Sequence, residues 1–257
     1  MVNYIAQIQE QKTSFDLKVN SSDSLKQIFG TIKNLVDEAT IQVTKEGLTF
    51  RGMDPSHVCL LDINMPNSSF EKYEVNQEGS FAFRTEELTK LLKNFNKKDS
   101  VRLYTKDDLL VIETKTSKTQ LRLIEASKQD CPIPKIYFNS LIQITLDALK
   151  KSVRQIETVS DYITLETTQN RNLILSGKGD NGESTITFER GQEEIPDIEV
   201  KEPSKSTYSF EYIKPFLQQL KTASLILEYS SSKPLRIEAR IDNISKMFFY
   251  VAPRVED

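Results

Sequence analysis

The feature that most constrains the fold of this 257-residue chain is that its sequence repeats itself. In the segment Phe81-Ala-Phe-Arg-Thr-Glu-Glu-Leu88-Thr-Lys-Leu91-Leu92-Lys-Asn-Phe95, the residues Leu88, Leu91, Leu92 and Phe95 fall at i, i+3, i+4 and i+7. That spacing puts all four on one face of an α-helix, while Phe81 and Phe83 just before it alternate as in a strand. In Tyr208-Ser-Phe-Glu-Tyr-Ile213-Lys-Pro-Phe216-Leu217-Gln-Gln-Leu220 the same spacing returns at Ile213, Phe216, Leu217 and Leu220. The offset from Leu88 to Ile213 is 125, with Tyr208 and Phe210 standing for the strand pair. Each helix is followed by a strand, a polar turn and a strand, over 101–104 and 109–113 and again over 225–229 and 235–238.

The first part of each copy corresponds too. Leu25, Ile28, Ile32 and Leu35 share their spacing with Leu146, Leu149, Val153 and Ile156, an offset of 121 from Leu25 to Leu146. Alternating stretches follow, with Ile41 and Val43 matched to Ile163 and Leu165, and Leu48 and Phe50 to Leu173 and Leu175. Each copy reads helix, strands, helix, strands, which is an α+β unit, and two units of this size each bury an ordinary core. Between them, residues 117–134 carry Pro132 and Pro134 and lack apolar periodicity over 125–130. Proline cannot donate a ladder hydrogen bond, so this segment reads as an extended connector.

Composition removes several classes of function. With 38% hydrophobic and 28% charged residues the chain is too apolar for disorder and too charged for a membrane protein. Apolar runs such as Leu109 to Ile112 are far shorter than the roughly 20 residues of a bilayer span. Residues 1–8 alternate apolar with polar and do not read as a signal peptide. Cys59 and Cys131 are the only cysteines, too few for a disulfide framework or a zinc site, which fits a reducing compartment. The net charge of −3 carries no whole-chain basic excess, so any contact with nucleic acid depends on charge segregated to one face.

Three segments carry a family resemblance that spans the chain. Arg51-Gly-Met-Asp-Pro-Ser-His57-Val, the stretch from Leu121-Arg-Leu-Ile124 to Ile133-Pro134, and the C-terminal Phe249-Tyr250-Val251-Ala252-Pro253-Arg254-Val-Glu256-Asp resemble DNA sliding clamps of the proliferating cell nuclear antigen type, archaeal form. The resemblance implies two duplicated clamp domains, 1–118 and 136–257, joined by an interdomain connecting loop at 119–135. Three subunits would close a ring, with helices lining a channel and antiparallel sheets outside. It implies no catalysis, metal or cofactor. The expected function is a processivity factor that encircles double-stranded DNA without reading its sequence. DNA polymerase, clamp loader, flap endonuclease and DNA ligase would dock on it through PIP-box peptides. The expected location is cytoplasmic and nucleoid-associated if archaeal, nuclear if eukaryotic. Gln169 stands where eukaryotic clamps carry a lysine used for regulatory modification, which favours the archaeal type.

The helices supply cations for such a channel: Lys26 and Lys33, then Lys90 and Lys93 with Lys97 and Lys98 beyond, then Lys150, Lys151 and Arg154, then Lys214 and Lys221. Lysines on phosphates give sequence-independent attraction. Glu211 and Gln218 on the fourth helix depart from the basic residues of eukaryotic relatives, while acidic residues collect over 192–202. The resemblance assigns Met53, His57, Val58 and Leu60 to one wall of the partner-peptide pocket. Cys131, Ile133 and Pro134 form the connecting-loop wall, and Pro234, Tyr250, Val251, Ala252 and Pro253 the remaining wall and rim. Cys131 replaces the larger aliphatic residue of many relatives. The resemblance also sets the subunit edges at 109–115, with Leu109, Leu110 and Ile112, and at 173–179, with Leu173, Leu175 and Lys178. Whether three identical chains or paralogues close the ring stays open, as does a checkpoint-type subunit.

Enzyme readings are weak. His57 is the single histidine and Cys59 lies two residues on, but no orienting partner or oxyanion turn accompanies them. An unrelated hydrolase of two α+β repeats would have to depend on His57. Gly177-Lys-Gly-Asp-Asn-Gly182 lacks phosphate-loop order and leads into a strand, so it reads as a hairpin turn, and Asp180 with Glu183 makes no calcium loop.

Overall fold

A computed structural model describes residues 13–127 and 131–255; the alternation at residues 1–8 lies outside them. The described residues form eighteen strands and four helices. The N-terminal half runs through β1 (Ser14–Val19), α1 (Ser22–Leu35), β2 (Glu38–Val43), β3 (Gly47–Met53) and β4 (Cys59–Pro66). It continues with β5 (Lys72–Gln77), β6 (Gly79–Arg84), α2 (Thr85–Lys93), β7 (Val101–Lys106), β8 (Leu109–Glu113) and β9 (Lys118–Arg122). The C-terminal half opens with β10 (Ser140–Thr145), α3 (Leu146–Ile156), β11 (Tyr162–Thr167), β12 (Leu173–Gly179) and β13 (Gly182–Phe188). It ends with β14 (Asp197–Val200), β15 (Ser204–Ser209), α4 (Phe210–Gln219), β16 (Ser224–Tyr229), β17 (Leu235–Arg240) and β18 (Lys246–Val251). The same order of nine strands and two helices therefore occurs twice.

Helix starts follow local chemistry. The Ser21 hydroxyl accepts from the Asp23 amide, Thr145 from Ala148 and Ser209 from Glu211, which satisfies donors the first turn cannot use. α2 has no side-chain cap; instead Thr85 at its first position donates to the carbonyls of Val36 and Asp37 and ties it to the end of α1.

The sheets make the duplication explicit. The order β5-β1-β7-β8-β9 in one half matches β14-β10-β16-β17-β18 in the other, and β6-β2-β3-β4 matches β15-β11-β12-β13. Within the chain, β18 pairs antiparallel with β4, so the five strands of one half and the four of the other fuse into a nine-stranded sheet. The helices pack as a row, α2 on α1, α1 on α4 and α4 on α3. α1 and α4 come close at Gly30, where a Cβ would run into Oε1 of Gln219.

Two pairings expected from periodicity are corrected. The caps Ser21 and Thr145 stand 124 apart, as do the fully buried Ile32 and Ile156, so Leu25 matches Leu149 and not Leu146. Sliding a helix by three residues is nearly one turn and leaves its apolar stripe in place, so periodicity accepts either offset. Along the strands, Ala39 pairs with Phe83 and Ile163 with Tyr208, which makes Ile41 the counterpart of Leu165. Phe210 opens α4, and Ser206 with Tyr208 takes the place of Phe81 with Phe83. A slide of two keeps every side chain on its own face, so alternation cannot detect it.

Candidate nucleic-acid interface

The nine helix cations expected to face DNA fall into three groups. Lys90 pairs with Glu86 at 2.9 Å, Lys214 with Glu157 at 2.6 Å, and Lys221 closely with Asp23. The bond from Lys90 also holds the Glu86 carboxyl below its ordinary range. Lys26 and Lys150 donate to backbone carbonyls, of Phe95 at 2.5 Å and Leu220 at 3.1 Å. Desolvation lowers the pKa of Lys150, against the raising effect of Asp147. Lys33, Lys93, Lys151 and Arg154 have no ion-pair or hydrogen-bond partner among the described residues, and all but Lys33 are exposed. The row of helices thus carries unspent positive charge, while the acidic stretch 192–202 lies around β14 at a sheet edge.

Sequence reasoning did not find the polar seam between α1 and α4. Asn34 donates to the Pro215 carbonyl at 2.9 Å, and the Gln27 side chain accepts from the Lys221 amide at 3.0 Å. Their partners lie more than 180 residues away, which no local pattern reports.

The expected partner pocket is partly assembled. Met53, Leu60, Tyr250 and Arg236 stand opposite one another across β3, β4, β18 and β17. Leu60 and Tyr250 are buried but stand apart from the main core, on the sheet face away from the helices. The Ala252 amide donates to the Val58 carbonyl at 2.9 Å, which carries the ladder on toward Pro253. Pro234 is half-buried just before β17, and Ile133, at 39% exposure, and Pro134 are exposed on the connector. Cys131 instead borders a separate, more polar groove of ≈ 390 Å³ with Thr40, Gln42, Arg51 and Asp62. Val251 requires a correction. It is fully buried in the core, because Tyr250 takes the outer face and the next residue must point inward, so it offers a ligand only backbone.

The signature around Asp54 proves to be a backbone clamp. The Asp54 carboxylate accepts from the amides of Ser56, Val58 and Cys59, at 3.0, 2.8 and 2.5 Å, and His57 sits exposed at φ 57 in that turn. Burial pushes the Cys59 thiol well above its ordinary range, with Asp54 and Glu211 adding to the effect, so it is no thiolate nucleophile at neutral pH.

The expected subunit edges are also corrected. β8, with Leu109, Leu110 and Ile112, lies between β7 and β9; β12, with Leu173, Leu175 and Lys178, lies between β11 and β13. Leu110, Ile112, Leu173 and Leu175 are core residues. The free edges lie one strand further on, at β9 and β13. Apolar alternation marks a strand with one face in the core, whereas edge strands carry charge, here Lys118 and Arg122 on β9 and Glu183 on β13. Gly179 and Gly182 pair across a two-residue turn, so the glycine-rich segment is a hairpin.

This geometry has counterparts among known proteins. Residues 14–130 match the family described as proliferating cell nuclear antigen, N-terminal domain, and residues 132–254 match its C-terminal domain. A DNA polymerase sliding clamp of Nitrosopumilus maritimus is 44% identical over 95% of this chain and 99% of its own length.

The chain belongs to the proliferating cell nuclear antigen family.

Another family member, a DNA polymerase sliding clamp of Thermococcus onnurineus, is 31% identical over 95% of this chain and 99% of its own. The crystal structure of PCNA from Thermococcus kodakaraensis superposes with a TM-score of 0.89 at 28% identity, covering 93% of this chain and all of that one. The α+β fold with two clamp domains is the family's. No helix among the described residues is long and apolar enough to cross a membrane.

Proposed function

We propose that the chain acts as a DNA polymerase sliding clamp, three copies closing head to tail around double-stranded DNA. The observation that carries this reading is the seam inside the chain. β18 pairs with β4, with Phe249 opposite Leu61 and Tyr250 opposite Leu60. The counterpart of β18 is β9 and that of β4 is β13, and each of these ends its sheet with an unpaired edge. An edge pair that is a repeat of a pair already made invites a second copy of the chain to make it.

The register follows from the neighbouring ladders. Leu235 pairs with Val251 as Leu110 pairs with Leu121, so Tyr250 corresponds to Gln120. Phe50 pairs with Ile63 as Leu175 pairs with Ile186, so Leu60 corresponds to Glu183. Gln120 of one copy therefore lies opposite Glu183 of the next, and Thr119 opposite Ser184. Because the two edges differ, the contact is heterologous and repeats head to tail, which makes a ring where the rotation from copy to copy closes. The basic Lys118 and Arg122 facing an edge that holds Glu183 favour identical chains over paralogues.

Within the ring the row α2-α1-α4-α3 continues from copy to copy around the hole. Lys33, Lys93, Lys151 and Arg154 supply phosphate contacts without base reading, supplemented by the ion-paired Lys90, Lys214 and Lys221. The row from Met53 to Tyr250, the connector at Ile133 and Pro134, and the strand-like tail at Ala252 and Pro253 take PIP-box peptides of polymerase, clamp loader, flap endonuclease and ligase by an apolar plug and added strand pairing. In this reading the chain performs no chemistry of its own and divides into two domains about the connector, the first extending through β9 (Lys118–Arg122) instead of ending at 118. A nucleoid-associated location accords with archaeal relatives. The deciding experiment is retention on DNA. The purified chain should have the mass of three copies, stay on closed circular duplex and run off once that duplex is linearised. A monomer lost equally from both forms would defeat the reading, and assembly only with another chain would favour a paralogous subunit.

A further inference from the structure

Lys26 on α1 donates to the carbonyl of Phe95, two residues past the end of α2, and Lys150 on α3 donates to the carbonyl of Leu220, just past the end of α4. The two lysines are 124 apart and the two acceptors 125 apart, the offsets that relate the equivalent helices in the two halves. One interaction has thus been kept twice, although the residues around it differ. Both lysine side chains are half-buried, while Lys93 on the same row is exposed. In the first half the neighbouring carbonyls are held from the same helix, Asn96 by the Ser22 hydroxyl and Lys97 by Ser21. The last carbonyls of a helix have no partner within it, and an ammonium placed there also meets the negative end of the helix dipole.

We infer that Lys26 and Lys150 are positioning residues, a pair of clips that fasten the C-terminal ends of α2 and α4 to α1 and α3, and that they do not bind phosphate. This rests on the sliding-clamp reading only for the second half of the statement. The Lys26 clip sets how far the exposed Lys90 and Lys93 of α2 stand from Lys33 of α1, and the Lys150 clip sets how α3, with Lys151 and Arg154, sits against α4, so the channel's free charge is delivered on a frame that Lys26 and Lys150 hold.

The test compares two double variants that each remove two positive charges from the helix row: Lys26→Met with Lys150→Met, and Lys33→Met with Lys93→Met. Binding of the full chain to a duplex oligonucleotide is followed by fluorescence anisotropy over a range of salt, and amide hydrogen exchange is measured on the free protein. The slope of log K against log salt should fall by about 0.9 for each phosphate that the Lys33 and Lys93 variant no longer neutralises. In the clip variant the slope should keep its wild-type value, while amides at 94–96 and 219–221 exchange about fivefold faster, the factor for removing one hydrogen bond of net strength near 1 kcal/mol. Lys26→Arg with Lys150→Arg, which keeps a donor, should restore wild-type exchange. A clip variant whose slope drops as far as that of the other pair, or whose helix ends exchange at the wild-type rate, overturns the inference. Absence of salt-dependent binding in the wild-type chain would count against the DNA-facing reading, and the exchange measurement would still decide the clips.

Discussion

Phe216 of α4 lies flat against Phe249 of β18, with ring centroids 4.4 Å apart and planes 9° apart. Phe249 is in turn opposite Leu61 across the β18–β4 ladder, so the stack sits directly behind the strand pair that joins the two halves. Both rings are buried. Phe249→Ala should therefore cost about 3–5 kcal/mol in urea denaturation, from the forfeited transfer energy and the cavity left behind. Adding Phe216→Ala should cost less than it does alone, because the stacking partner is already gone.

Asp16 on β1 should give stability a marked pH dependence. Hydrogen bonds from Arg102, with a further bond from Lys72 and opposed by partial burial, hold its carboxyl at about 2 against 3.8 for the free side chain. A depressed carboxyl contributes stability that is complete above the unfolded value and is lost as pH falls from 3.8 toward 2. The urea midpoints of wild type and Asp16→Asn should thus be well separated at pH 5 and much closer at pH 2, where about half of the native carboxyl is still ionised. An equal gap at both pH values would assign the bridge no linkage.

Gln120 reports on the joint between copies. At the two ends of the β8–β9 hairpin, the Thr114 amide donates to the Ser117 carbonyl at 2.8 Å and the Leu123 amide to the Asp108 carbonyl at 2.9 Å. Odd-numbered amides of β9 therefore point at β8, and the amide of Gln120 points outward. Gln120→Pro removes only that outward donor. It should reduce the assembly to monomer by light scattering with an unchanged far-UV circular dichroism spectrum, while Thr119→Pro should damage the hairpin itself.

Tyr250 should carry much of the peptide affinity, since a buried aromatic with a polar tip is the usual anchor at such a groove. Tyr250→Ala should weaken binding of a fluorescent PIP-box peptide at least about tenfold, or 1.4 kcal/mol. Cys131→Ala should change it far less, because Cys131 borders the separate polar groove. Comparable reductions from both would move the docking site toward the connector.

Much of this architecture is legible in the residue pattern. The run Leu88, Leu91, Leu92 and Phe95 and its echo at Ile213, Phe216, Leu217 and Leu220 locate α2 and α4, and the interval of 125 between them survives in the structure. Periodicity puts the offset between α1 and α3 three residues short, because a helical stripe is nearly unchanged by one turn. The subunit edges fall one strand early for a related reason. Leu110 and Ile112 look like interface residues when only their apolar character is known, and only the neighbours β7 and β9 reveal them as core.

The order of residues alone determined that the chain is two copies of one α+β unit, where its helices lie and that each carries cations, since periodicity and charge are properties of neighbours along the chain. Only tertiary structure decided which strands keep a free edge, that Val251 faces the core, and that Lys26 and Lys150 are spent on the carbonyls of Phe95 and Leu220. The two lysine bonds reach across about 70 residues, and the hydrogen bonds a side chain makes are set by what folding brings against it.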